Sequence, residues 1–133
     1  MKNINIVYLL PEMKGASGGA KVIYKHSAIL NNLDKDVSSS INHLKKKFSY
    51  KIKTSLSKKF KIFEQKDSGW EGKKMKISKN FSPSNKWATS KLIFGQSLNF
   101  NKHNDFLIIP EIWAHFAKDF NLKKKNINYA IFV

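Results

Sequence analysis

The sequence predicts an α/β fold whose mainly parallel sheet is flanked by helices. Three observations carry this expectation. The chain opens on a nearly continuous β-branched and apolar run, Ile4 to Leu10, typical of a strand buried on both faces. That run leads through Gly15-Ala16-Ser17-Gly18-Gly19 into a segment of helical period, which is how a βαβ unit begins. Towards the other end, an apolar strand, a helical segment and a further apolar strand follow one another between Asp105 and Val133.

The first strand, Ile4 to Leu10, ends at Pro11-Glu12, where proline removes a ladder donor. From Ala20 the period changes. Val22, Ile29 and Leu33 fall on one helical face with Ile23 and Leu30 beside them, and Asn31-Asn32 marks the end. A second strand is expected over Ser38 to Leu44, where consecutive serines dilute the signal. Phe48, Ile52, Leu56, Phe60 and Phe63 then recur every three or four residues, with Lys51, Lys53, Lys58, Lys59 and Lys61 between them. Following Lys45-Lys46-Lys47, this pattern predicts a basic amphipathic helix.

Between Glu64 and Asn104, Gly69-Trp70 and Ser82-Pro83-Ser84-Asn85 read as turns and Met75 to Ser78 as a short strand. Lys91 to Phe100 shows no decisive period. Phe106 to Ile109 is a compact apolar strand ending at Pro110-Glu111. Trp113, Phe116, Ala117 and Phe120 recur at i, i+3, i+4 and i+7 and predict a helix, with Lys123-Lys124-Lys125 at its end complementing the helix dipole. Ile127 to Val133 is the last strand. The first strand and the Phe106 strand are expected to be parallel neighbours. No internal repeat interrupts this order, and a chain that stops on a bare apolar strand is expected to be the front portion of a longer protein.

With 133 residues, 41% of them hydrophobic and 13% aromatic, the chain suits one domain with a real core rather than wholesale disorder. It carries 25 basic side chains against 9 acidic ones, a net charge of +16, and every basic residue is lysine. Readers of phosphate and guanine usually rely on the bidentate guanidinium, so charge alone makes nucleic acid an alternative partner, not the leading one. The absence of cysteine excludes disulfides, thiolate nucleophiles and zinc sites that need sulfur.

No run approaches the roughly 18 apolar residues of a transmembrane helix. The apolar start is too short for a signal peptide, and Pro11 and Glu12 interrupt it. The expected location is cytoplasmic. For Lys45 to Phe63 three readings stand: peripheral contact with an anionic bilayer at the inner membrane face, contact with a nucleic-acid backbone, or a surface helix packed on the sheet. The third leads, because any α/β domain needs such helices.

The glycine loop lies between a strand and a helix, where backbone N–H groups and the helix dipole attract anions. Gly18 and Gly19 let a phosphate or a sugar approach the backbone closely. The spacing is neither G-x-G-x-x-G nor the Walker pattern, and no acidic residue stands at Ser39 to Leu44 to hold a ribose. A dinucleotide cofactor is therefore disfavoured, and a simple tight turn is the competing reading.

Glu12 and Glu111 each follow a proline at a strand end, so adjacent strands would place both carboxylates at one crevice mouth. There a carboxylate serves as a general base or as an acceptor for a sugar hydroxyl. For Glu12 the start of a solvated turn is the leading reading; for Glu111 neither reading leads. The histidines His26, His43, His103 and His115 show no metal-binding spacing, and no metal or cofactor is expected. His115, close after Glu111, is the better catalytic candidate, whereas His26 reads as structural.

Ile4 to Leu10, Ser17-Gly18-Gly19-Ala20-Lys21-Val22-Ile23-Tyr24-Lys25-His26, Asp105 to His115 and Tyr129 to Val133, taken in this order, resemble the N-terminal Rossmann-like domain of GT-B-fold glycosyltransferases. The resemblance covers the first and last thirds of the chain. It implies a single acceptor-side domain over residues 1–133, with the donor-binding C-terminal domain missing. It also implies a nucleotide-sugar donor and a hydroxyl acceptor, in cell-envelope or polysaccharide assembly, without a metal. Gly18 and Gly19 would lie near the donor phosphates, while Glu111 and His115 would line the acceptor side. Activity from this chain alone is not expected.

Overall fold

The structure, a computed structural model, describes residues 3–12, 18–33, 36–46, 75–79 and 92–133. Along the chain lie β1 (Ile4–Pro11), α1 (Gly18–Leu33), β2 (Val37–Lys46), β3 (Met75–Ile77), β4 (Asp105–Pro110), a 3-10 turn (Glu111–Trp113), α2 (Phe116–Asp119) and β5 (Asn128–Phe132). The strands form a five-stranded mixed sheet in the order β3-β2-β1-β4-β5. β1 is parallel to β2 and to β4, β4 is parallel to β5, and only β3 runs antiparallel, along β2. The expected adjacency of the first strand and the Phe106 strand is what the register shows, with Asn5 opposite Asp105 and Tyr8 opposite Ile108.

Side-chain alternation divides the core between the two faces of the sheet. Val7, Leu9, Leu44, Met75, Leu107 and Ile109 meet Trp113, Phe116, Leu122 and Ile127 on one face. Tyr8, Leu10 and Ile41 meet Ile23 and Tyr24 of α1 on the other, with Leu92 and Phe94 at the margin. The β1–α1–β2 connection thus covers one face, and the β4–α2–β5 connection covers the other. The strands read as continuous apolar runs because both faces of β1 and β4 are in use.

α1 buries a different stripe from the one marked by Val22, Ile29 and Leu33. Those residues are 42%, 51% and 75% exposed, whereas Ile23, Tyr24 and Ser27 are buried, with Ala20 and Leu30 packed beside them. The choice is decided by polar partners on β2. Asn31 accepts a hydrogen bond from the Ser39 N–H at 2.6 Å and donates to the Ser39 carbonyl at 3.0 Å, as a neighbouring strand would. Asn31 therefore belongs to the helix, which runs on to Leu33, and protects an exposed strand edge.

Further along the same edge, Ile41 N–H donates to Ile93 and Gly95 N–H donates to the Ile41 carbonyl. Then Ser78 N–H donates to His43, and β3 takes over at Leu44 to Lys46. Phe94 makes an isolated parallel bridge with Ile41, which gives the aperiodic stretch before Phe100 its place.

The helix expected after Pro110 is broken into the 3-10 turn and α2, although Trp113 and Phe116 are fully buried as their spacing implies. It stops because two successive turns close on left-handed asparagines. Asn121, at φ 51°, donates to Lys118 while Leu122 N–H donates to Ala117; Asn126, at φ 57°, donates to Lys123 while Ile127 N–H donates to Leu122. Each is the paired hydrogen-bond pattern of a Schellman cap, with Asn in place of the usual Gly. Lys123, Lys124 and Lys125 consequently sit in a turn and not on a helix end.

The amphipathic segment over Phe48 to Phe63 and the turns at Gly69-Trp70 and Ser82 to Asn85 lie outside the described residues. Of Lys45 to Phe63, the described part, Lys45 and Lys46, is the end of β2. Among the described residues no helix is long and apolar enough to cross a membrane.

Candidate crevice at the carboxyl ends of the strands

The strand order reverses direction between β1 and β4, and the two strands separate there. Their pairing ends at Tyr8 opposite Ile108. β1 continues with β2 to Pro11 opposite Leu44, and β4 continues with β5 to Pro110 opposite Phe132. The crossovers from these strands leave over opposite faces of the sheet. In open α/β sheets the opening between the carboxyl ends of two such strands is where ligands bind.

Gly18 and Gly19 begin α1, a 16-residue helix whose first N–H groups have no partner within the helix. Both glycines are exposed, a Cβ built on either meets nothing within 4 Å, and neither has positive φ. Folding therefore does not demand glycine at these positions. Gly15 and its neighbours, residues 13–17, lie outside the described residues.

Glu12 stands at the end of β1 with its N–H donating to the Leu44 carbonyl at 2.9 Å. Its carboxylate accepts a hydrogen bond from the Ser78 hydroxyl, so it is drawn towards β2 and β3 and away from β4. Glu111 is exposed at the start of the 3-10 turn, its carbonyl accepting from Ala114 N–H at 3.0 Å. His115 is half-buried immediately before α2, its carbonyl accepting from Lys118 and Asp119. The structure thus places Glu111 and His115 in one connection after β4, and Glu12 at the end of the neighbouring strand. His26 is exposed on α1 and His103 lies in the turn before β4.

The sequence reading passed over a buried pair beside this crevice. His43, 2% exposed near the end of β2, is hydrogen-bonded through Nε2 to the hydroxyl of Tyr24 on α1 at 2.5 Å. The His43 ring also lies 5.4 Å from the ring of Phe94. Burial pushes the His43 imidazole down to about 4, against a weaker upward pull from the charge of Glu12. Burial likewise pushes the Tyr24 phenol up to about 12. Both groups are neutral at pH 7, and together they tie the first turns of α1 to the sheet. The signal was available: Ser39, Ile41 and His43 alternate onto one face of β2, and Tyr24 follows Ala20 by one helical turn.

Chemically, the crevice mouth offers backbone donors from the start of α1 and the exposed Glu111 carboxylate after β4, whereas the Glu12 carboxylate is engaged by Ser78. Among the described residues, no group of three His, Asp or Glu side chains is arranged to hold a metal ion. Comparison of the chain with family models, with curated proteins and with solved structures finds no match in any of the three.

Proposed function

We propose that the chain is the Rossmann-like, acceptor-side part of a glycosyltransferase that moves a sugar from a nucleotide-sugar to a hydroxyl acceptor. The observation that supports this most is the opening between the parallel strands β1 and β4 beyond Tyr8 and Ile108, with the glycine start of α1 beside it. In this reading the N–H groups at Gly18 and Gly19 donate to the departing diphosphate, using the positive end of a long helix. The Glu111 carboxylate accepts the proton of the acceptor hydroxyl as its oxygen bonds to the anomeric carbon and the bond to the diphosphate breaks. His115 lines the acceptor side of the same connection. A donor-binding counterpart completes the cleft, and the work is done in the cytoplasm on an envelope or surface polysaccharide.

Saturation-transfer NMR of the purified chain against a panel of glycosides and nucleotide-sugars tests the reading. Contact with a glycoside that weakens in Glu111→Gln supports it. Absence of contact with every member of the panel, or contact indifferent to Glu111→Gln, overturns it.

A further inference from the structure

A groove of about 590 Å³ runs between α2 and the edge strand β5. Ala114 and Ala117 line it together with Lys118, Asn121, Lys123, Lys124 and Tyr129. A second groove of about 310 Å³ adjoins it, sharing Lys123 and Tyr129 and adding Asn126 and Asn128. Tyr129 is 39% exposed although it stands in a strand, opposite the fully buried Leu107. Among the described residues no carboxylate lines either groove.

We propose that this continuous track is a binding site for an acidic oligosaccharide, with Lys118, Lys123 and Lys124 meeting its carboxylates or other anionic groups and Tyr129 lying against a sugar ring. The shape follows from the two Schellman turns. They hold the chain in a compact loop, so that lysines adjacent in sequence line one groove with Tyr129 instead of spreading along a helix. Side-chain amides at Asn121, Asn126 and Asn128 provide both donors and acceptors, which is what a row of sugar hydroxyls requires. A strand of nucleic acid fits less well. Grooves for single strands present aromatic rings to successive bases, and this track presents one. The groove lysines and Tyr129 are not among the residues assigned to the crevice, and the site stands whether or not the chain belongs to a glycosyltransferase.

The test is calorimetric titration with hexagalacturonate, with its methyl ester, which has the same sugar chain without the charge, and with a thymidine oligonucleotide. Hexagalacturonate is expected to bind, and to bind less tightly as salt is raised. Lys123→Ala combined with Lys124→Ala weakens binding by about tenfold, as expected for two lost charge-assisted contacts at an exposed site. Tyr129→Leu, which keeps an apolar strand residue, weakens it by about threefold or more. Lys25→Ala, an exposed lysine on α1, leaves it unchanged. The proposal is overturned if hexagalacturonate does not bind, if the methyl ester binds equally well, or if Lys25→Ala costs as much as the groove lysines. Tighter binding of the oligonucleotide through the same lysines also overturns it and makes the track a nucleic-acid site.

Discussion

The Tyr24 hydroxyl and His43 Nε2, both buried, are hydrogen-bonded at 2.5 Å across the interface between α1 and β2. A titratable ring held neutral under a helix makes stability depend on pH. The folded-state value for His43 is lowered to about 4 from the ordinary 6.5. The unfolded chain therefore takes up the proton first, and the stabilising contribution is complete above pH 6.5 and lost as pH falls through about 4. The whole effect is on the order of 3 kcal/mol. Urea denaturation of the protein and of His43→Gln, at pH 7 and at pH 4.5, checks this. The stability gap between them should narrow at the lower pH, and two parallel losses would remove His43 as the source. Tyr24→Phe should cost about 1 kcal/mol at pH 7 through loss of the shared bond.

A second expectation concerns Gly95 and Asn42. A Cβ on Gly95 would stand 1.7 Å from Asn42 Oδ1, and that side chain is fixed, because it is 2% exposed and donates to the Ser97 carbonyl at 3.0 Å. Gly95→Ala should therefore destabilise by about 2 kcal/mol or more. Asn42→Ala makes room for the new methyl group, so the double variant should be more stable than the sum of the single losses predicts. Additive losses in thermal melts would show that the two sites do not collide.

These two pairs also show where the sequence is legible and where it is not. β1 and β4 stand out because strands with both faces in use concentrate Ile, Leu and Val, β5 stands out as a short apolar run on the sheet edge, and the parallel adjacency of β1 and β4 follows from the order of elements. Gly95 meeting Asn42 lies in a stretch without period, whose place is set by hydrogen bonds to the edge of β2 and not by its own pattern. The buried face of α1 was misplaced for a related reason. Hydrophobicity alone points to Val22, Ile29 and Leu33, but Tyr24 and Asn31 find partners on β2, and a helix turns to satisfy them. β3 is three residues long, which is too short to show that the sheet is mixed. Of the candidate site, the strand ends and their carboxylates were readable. The link from Glu12 to Ser78 and the burial of His43 depend on contacts distant in sequence.

The two left-handed asparagines lead to a stability test. Asn126, at φ 57°, closes the turn before β5. Alanine pays about 1 kcal/mol to adopt this conformation, whereas glycine adopts it freely. Asn126→Ala should thus lower the melting temperature by a few degrees. Asn126→Gly should stay within about 0.5 kcal/mol of the parent. If both melt alike, the αL conformation at this position is not what the asparagine supplies.

The glycine start of α1 separates folding from function unusually well. Because Cβ atoms at Gly18 and Gly19 meet no neighbour and neither residue has positive φ, Gly18→Val and Gly19→Val should leave the melting temperature nearly unchanged. Valine is, if anything, the better helix residue, by a few tenths of a kcal/mol. A branched side chain at the mouth would nevertheless obstruct an anion seeking the first N–H groups of the helix. In an assembly competent for glycosyl transfer, either variant should lower the rate by about tenfold, equivalent to roughly 1.4 kcal/mol of transition-state stabilisation. Glu111→Gln, which keeps shape and removes charge, should lower the rate as well, because an amide cannot take the proton of the acceptor hydroxyl. Unaltered transfer in all of these variants, with melting temperatures intact, would separate the crevice from the chemistry. A loss of stability in the glycine variants would instead show that the backbone there needs glycine for its own fold.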